Sequence, residues 1–226
     1  MHRLRIFLAG LLAIAVPAVA SAHFPFLHLK PAENGPPELH VYFSESAVPD
    51  DPALLDRLLG AEVWQLSKDG EPTPLTLKKG EASLTASPTS AGPAAFGFIK
   101  DYGVISRGGQ PFLLQYYAKT FSGHEAWKTS TAKSLKLDIV PELKSDELTL
   151  TVLWEGKPLP NAEVVVEGGI EFIEGKADEA GRFTCKVPDP ALYSIRAKHV
   201  EAKPGERDGK RFDDARHYST LVLDLK

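Results

Sequence analysis

From residue 135 to the C-terminus, apolar and polar residues alternate in short runs, with turn residues between them. Side chains along a strand point to opposite faces in turn, so a two-residue period buries one face of a sheet. The runs fall at 135–139, 148–154, 162–167, 170–173, 182–187, 192–200 and 220–225. Glu155-Gly156-Lys157-Pro158, Gly168-Gly169 and 178–181 break them. Strands recurring at this interval predict a seven-stranded sandwich. The earlier half is similar but less regular, with strands expected at 39–44, 61–66, 75–78, 95–100 and 112–119. Its turns are expected at 68–70 and 78–80 and its loops at 85–93 and 107–111. Helical periodicity is confined to one place. Asp51 can cap, Pro52 fits the first helical position and Gly60 fits just past the end, with Leu54, Leu55, Leu58 and Leu59 as an apolar face. The reading is an all-β chain of two antiparallel β-sandwich domains, residues 23–134 with one short helix and residues 135–226.

Residues 1–22 have the three parts of a secretory signal: basic Arg3 and Arg5, an apolar run from Ile6 to Ala20, and Ala20-Ser21-Ala22 for cleavage. The run is short for a membrane span, so the expected location is the periplasm or the medium. Cleavage after Ala22 removes two basic residues and no acid, taking the formal charge from −4 to −6. That balance argues against a nucleic-acid partner and suits a bound cation. Cys185 is the one cysteine, so no intramolecular disulfide forms and stability rests on burial. Its phase with Phe183 and Val187 makes it a small core residue. Met1 is the one methionine, which excludes a methionine-based copper(I) site in the mature chain.

Cleavage after Ala22 also makes His23 the first mature residue. An N-terminal histidine offers a metal both its α-amine and a ring nitrogen. A second histidine would complete a T-shaped, three-nitrogen site of the kind that suits copper(II) or nickel(II). His199 and His217 are the best internal candidates. Each is in phase with the inward residues of its strand, and the charged segment 201–216 joins the two. An antiparallel pairing would bring them close at one end of the sheet. The ligand set is therefore His23, His199 and His217, with His28 and His124 as further candidates. His28 and His40 are expected to face outward, and His124 to lie in a loop beside Glu125. Glu201, Glu206 and Asp208 belong to a solvated charge run that could also orient an imidazole. No nucleophile elbow, zinc-protease motif or phosphate loop occurs, so a hydrolase is not expected.

Two resemblances extend this reading. Residues 156–164, 177–183 and 192–195 (Gly-Lys-Pro-Leu-Pro-Asn-Ala-Glu-Val, Ala-Asp-Glu-Ala-Gly-Arg-Phe and Leu-Tyr-Ser-Ile) resemble the carboxypeptidase-regulatory-like, transthyretin-like sandwich. Ala22-His23-Phe24, Tyr116-Tyr117-Ala118-Lys119, Leu137-Asp138-Ile139-Val140-Pro141 and His217-Tyr218-Ser219-Thr220-Leu221 carry the second. They are similar to an exported family related to the periplasmic component of nickel uptake systems. That likeness implies two β-sandwich halves and a transition-metal role, with nickel or copper as the ion. A membrane permease is the partner an uptake role implies. The rival readings are an envelope interaction module without metal and, third, a copper oxidase built on a histidine brace.

Overall fold

Neighbouring residues of the central strands are buried on both sides, so these strands lie between two layers rather than at a surface. The computed structural model describes residues 22–226 except 33–34, 68–70, 107–108, 129–130 and 132–133. The expected signal segment, apart from Ala22, and the turn at 68–70 lie outside the described residues. The first half contains β1 (Phe24–Lys30), β2 (Glu38–Ser44), β3 (Glu62–Ser67), β4 (Thr73–Pro74), β5 (Lys78–Lys79), β6 (Leu84–Ala86), β7 (Ala94–Ile105) and β8 (Phe112–Ser122). The second contains β9 (Leu137–Lys144), β10 (Glu147–Trp154), β11 (Lys157–Pro158), β12 (Glu163–Gly168), β13 (Glu171–Lys176) and β14 (Arg182–Lys186). It ends with β15 (Leu192–Glu201), β16 (Gly205–Arg207), β17 (Lys210–Phe212) and β18 (Asp214–Asp224).

The all-β expectation holds. One eight-stranded sheet, ordered β13-β12-β15-β18-β8-β7-β3-β4, runs through both halves of the chain. The join is a parallel pairing of β18 with β8, Tyr218 opposite Tyr116. The boundary expected at residue 134 thus falls between β8 and β9 in sequence, while the sheet itself crosses from one half to the other. The sheet β1-β2-β6-β5 covers one face, where Phe26, Val41, Phe96, Phe98, Ala118 and Val222 share a core. Strands β9, β10 and β14 cover the other, where Tyr117, Ile139, Leu150, Ile195, Leu221 and Leu223 share a second core. The alternation of Tyr116 with Tyr117, and of Val222 with Leu223, sends successive side chains to opposite cores.

The expected helix is a 3-10 helix, Pro52–Leu58, capped by the Asp51 carboxylate, which accepts from the Ala53 N–H at 2.9 Å. Three residues per turn aligns positions i and i+3, so Leu55 and Leu58 are buried. Leu59 faces solvent, and the expected four-leucine face is narrower. The charged segment after β15 is not a plain loop. It folds back as the hairpin β16–β17, whose Asp208 and Gly209 both have positive φ, at 51° and 73°. Cys185 packs opposite Leu148 in the core, and burial pushes its thiol up to about 11. No helix among the described residues is long and apolar enough to cross a membrane.

Candidate metal-binding sites

The expected three-histidine site does not form, because the central sheet stands between its members. His217 and Tyr117 point into the core shared with β9 and β10, and the Tyr117 hydroxyl lies 3.2 Å from His217 Nδ1. Tyr116, one residue earlier, points the other way, and its hydroxyl donates to the His23 carbonyl at 3.2 Å. His23 therefore sits on the opposite face of the sheet from His199 and His217. Phase along each strand was legible; which layer covers which face was not.

On its own face, His23 borders a cleft of about 610 Å³ with Phe43, Arg57, Tyr102, Tyr116, Arg216 and Tyr218. Asp50, just before the 3-10 helix, places its carboxylate 3.0 Å from His23 Nε2. A carboxylate accepts only from a protonated nitrogen, so in the neutral ring this contact puts the proton on Nε2 and leaves the Nδ1 lone pair free. Nδ1 is the ring nitrogen that lies nearest the residue's own backbone nitrogen. Asp50 was not singled out in the sequence, since 27 residues separate it from His23.

On the other face, His199 and His217 stand directly opposite each other in the antiparallel β15–β18 pair; their shared face follows from phase, and the register places them in line. Their ring centroids are 6.1 Å apart. Trp154, at the end of β10, lies 4.5 Å from each ring. Glu201 approaches His217 Nε2 at 3.7 Å, beyond hydrogen-bond reach. His217 is 1% exposed and its Nε2 has no hydrogen-bond partner. Burial, then the neighbouring His199, then Lys136 push its pKa down to about 4. Burial also lowers His199, against the opposing pull of Glu201. Trp154 and Tyr117 are the members that sequence reasoning missed at this site. Tyr117 was visible only as half of a tyrosine pair whose two members face apart.

The remaining candidates are separate. His28 is buried rather than outward-facing, because β1 packs against β8 and β18 while pairing with β2. Neither of its ring nitrogens has a hydrogen-bond partner, and the Asp224 carboxylate is 3.8 Å away. Burial, followed by Lys30, lowers its pKa. His40 is half-buried across from it and bonds Ser83 at 2.9 Å. His124 is exposed in the 3-10 helix His124–Lys128, edge-on to Trp127 at 4.0 Å. His28 and His124 line one cleft of about 640 Å³ with Asp224. Among the described residues, no group of three or more His, Cys, Asp or Glu is arranged to hold a metal ion.

Fold and sites together define a layered β protein with two imidazole centres on opposite faces of one sheet. The chain belongs to the family described as a domain of unknown function (DUF4198), whose model matches residues 20–201. No curated protein matches it. The match covers His23, Asp50, Trp154 and His199, stops before His217, and names no reaction.

Proposed function

We propose that this is an exported protein that binds a divalent transition metal, nickel or copper, through the mature N-terminal His23, and serves as a metal carrier or uptake accessory. The observation that carries the reading is the contact between His23 Nε2 and Asp50. Metal-binding histidines characteristically donate their second ring N–H to a carboxylate, which fixes the tautomer and makes the ligating nitrogen more basic. With Asp50 in that role, Nδ1 and the α-amine freed by cleavage after Ala22 chelate the ion together. The other coordination positions open on the aromatic cleft. A site that supplies two nitrogens and leaves the rest open suits hand-off to another ligand, such as a membrane permease, better than permanent storage. The likeness of segments 22–24, 116–119, 137–141 and 217–221 to periplasmic nickel-uptake components supports the same role. With His199 and His217 across the sheet, the second histidine that a copper-oxidase brace needs is not beside His23.

The test is calorimetric titration of the processed chain with nickel(II) and copper(II). His23→Ala should abolish the N-terminal site. Asp50→Asn should weaken binding by about 10- to 100-fold while leaving the melting temperature of the metal-free protein near that of the parent. Unchanged affinity in His23→Ala would overturn the reading.

A further inference from the structure

Across the sheet, the second centre has features that its place in the fold does not require. His217 is buried, yet one ring nitrogen is left without a partner. Buried polar atoms are nearly always satisfied, so such an atom calls for an explanation. The other nitrogen is held. The Tyr117 hydroxyl lies 3.2 Å from His217 Nδ1 and 3.4 Å from Gln115 Oε1. In the tautomer in which Nδ1–H donates to the Tyr117 oxygen, the Nε2 lone pair is available. His199, directly opposite, has its ring centroid 6.1 Å away, with the two planes inclined by 28°. Trp154 leans over both rings at 4.5 Å, inclined at 49° to one and 64° to the other, so it is stacked flat on neither.

We propose that His199 and His217 bind a soft monovalent d10 metal ion, copper(I) in kind, between their ring nitrogens and under the indole of Trp154. Two imidazoles on facing strands supply the pair of nitrogen donors that such an ion accepts in linear two-coordination. A divalent ion wants four or more ligands, whereas the described residues add to this pair the Glu201 carboxylate, 3.7 Å from His217 Nε2, and form no group of three or more His, Cys, Asp or Glu arranged to hold a metal ion. A single positive charge also costs less to carry into this partly dehydrated rim than a double one. The indole face attracts a cation held within about 6 Å of it, which Trp154 is placed to do. The site is independent of His23, which lies on the other face of the sheet.

Silver(I), which does not change oxidation state, is the probe. The mature chain carrying His23→Ala and Cys185→Ala, so that neither the N-terminal imidazole nor the thiol competes, is titrated with silver nitrate in chloride-free buffer. Tryptophan fluorescence should fall and saturate at one equivalent. His199→Ala and His217→Gln should each weaken binding by more than about tenfold, given that even outer-shell groups are worth that much. Trp154→Phe should keep calorimetric binding but lose most of the quenching. His199 lies at the half-exposed rim, so its variant reports on the site even if the His217 change disturbs the core. Silver affinity unchanged in His199→Ala, no saturable quenching in the parent, or one-equivalent quenching by zinc(II) in place of silver(I) would each overturn the proposal.

Discussion

Lys119 carries its ammonium to a place where water does not follow. It is 1% exposed, as are Asp138 and Thr131. Its Nζ pairs with Asp138 Oδ1 and donates to Thr131 Oγ1 at 3.2 Å. Thr131 Oγ1 donates in turn to Asp138 Oδ2 at 2.5 Å, and the Ile139 N–H donates to Oδ1 at 2.8 Å. Every charge here is met, and removing one partner would strand the other in an apolar core. Lys119→Met alone, or Asp138→Leu alone, should cost about 3–5 kcal/mol in urea unfolding, whereas the double variant should recover most of that loss. A single variant as stable as the parent would show that water reaches the pair. The two residues also explain a sequence signal. Segments 116–119 and 137–141 stood out as short similarities on either side of residue 134, and here they meet as one buried ion pair across that boundary.

At the scale of elements, the rim of β15 and β18 has its own pH dependence. The folded state holds the pKa of His217 at about 4, below its ordinary 6.5, because burial disfavours the charged ring. As pH falls, the unfolded chain takes up this proton first. The contribution of the neutral ring is therefore complete above about pH 6.5, is lost as pH falls toward 4, and is level below that. At about 1.4 kcal/mol per unit, the loss is roughly 3 kcal/mol. His199, His28 and His40 are lowered too and act in the same direction. Urea unfolding of the metal-free protein at pH 7.5 and pH 4.5 should show this loss, and His217→Gln should reduce it. Equal stability at both pH values would contradict the burial of the neutral ring. The facing of His199 and His217 was legible because alternation gives the face of each side chain. Their register was not, because alternation is silent on which residue pairs with which. Trp154 escaped notice for a related reason, since it reaches the pair from a strand of the facing sheet.

For the whole molecule, the all-β class and most strands could be read from periodicity and turn residues. The continuity of the central sheet could not. It depends on β18 lying parallel to β8, a contact between residues about a hundred positions apart that leaves no local mark. That one pairing decides the functional geometry, since it sets Tyr116 and His23 on one face and Tyr117, His199 and His217 on the other. The central claim is that the divalent metal is held by the amine and ring of His23, oriented by Asp50, and by no other histidine. The most direct measurement is copper(II) or nickel(II) affinity by calorimetry for two chains that both begin at His23 and are verified by intact mass, one with its α-amine free and one with that amine acetylated. At pH 7.5 the chain with the free amine should bind one equivalent at least about tenfold more tightly, and His199→Ala/His217→Ala should leave that binding unchanged. Equal affinity in the two chains, or loss of binding in the double variant, would contradict the account.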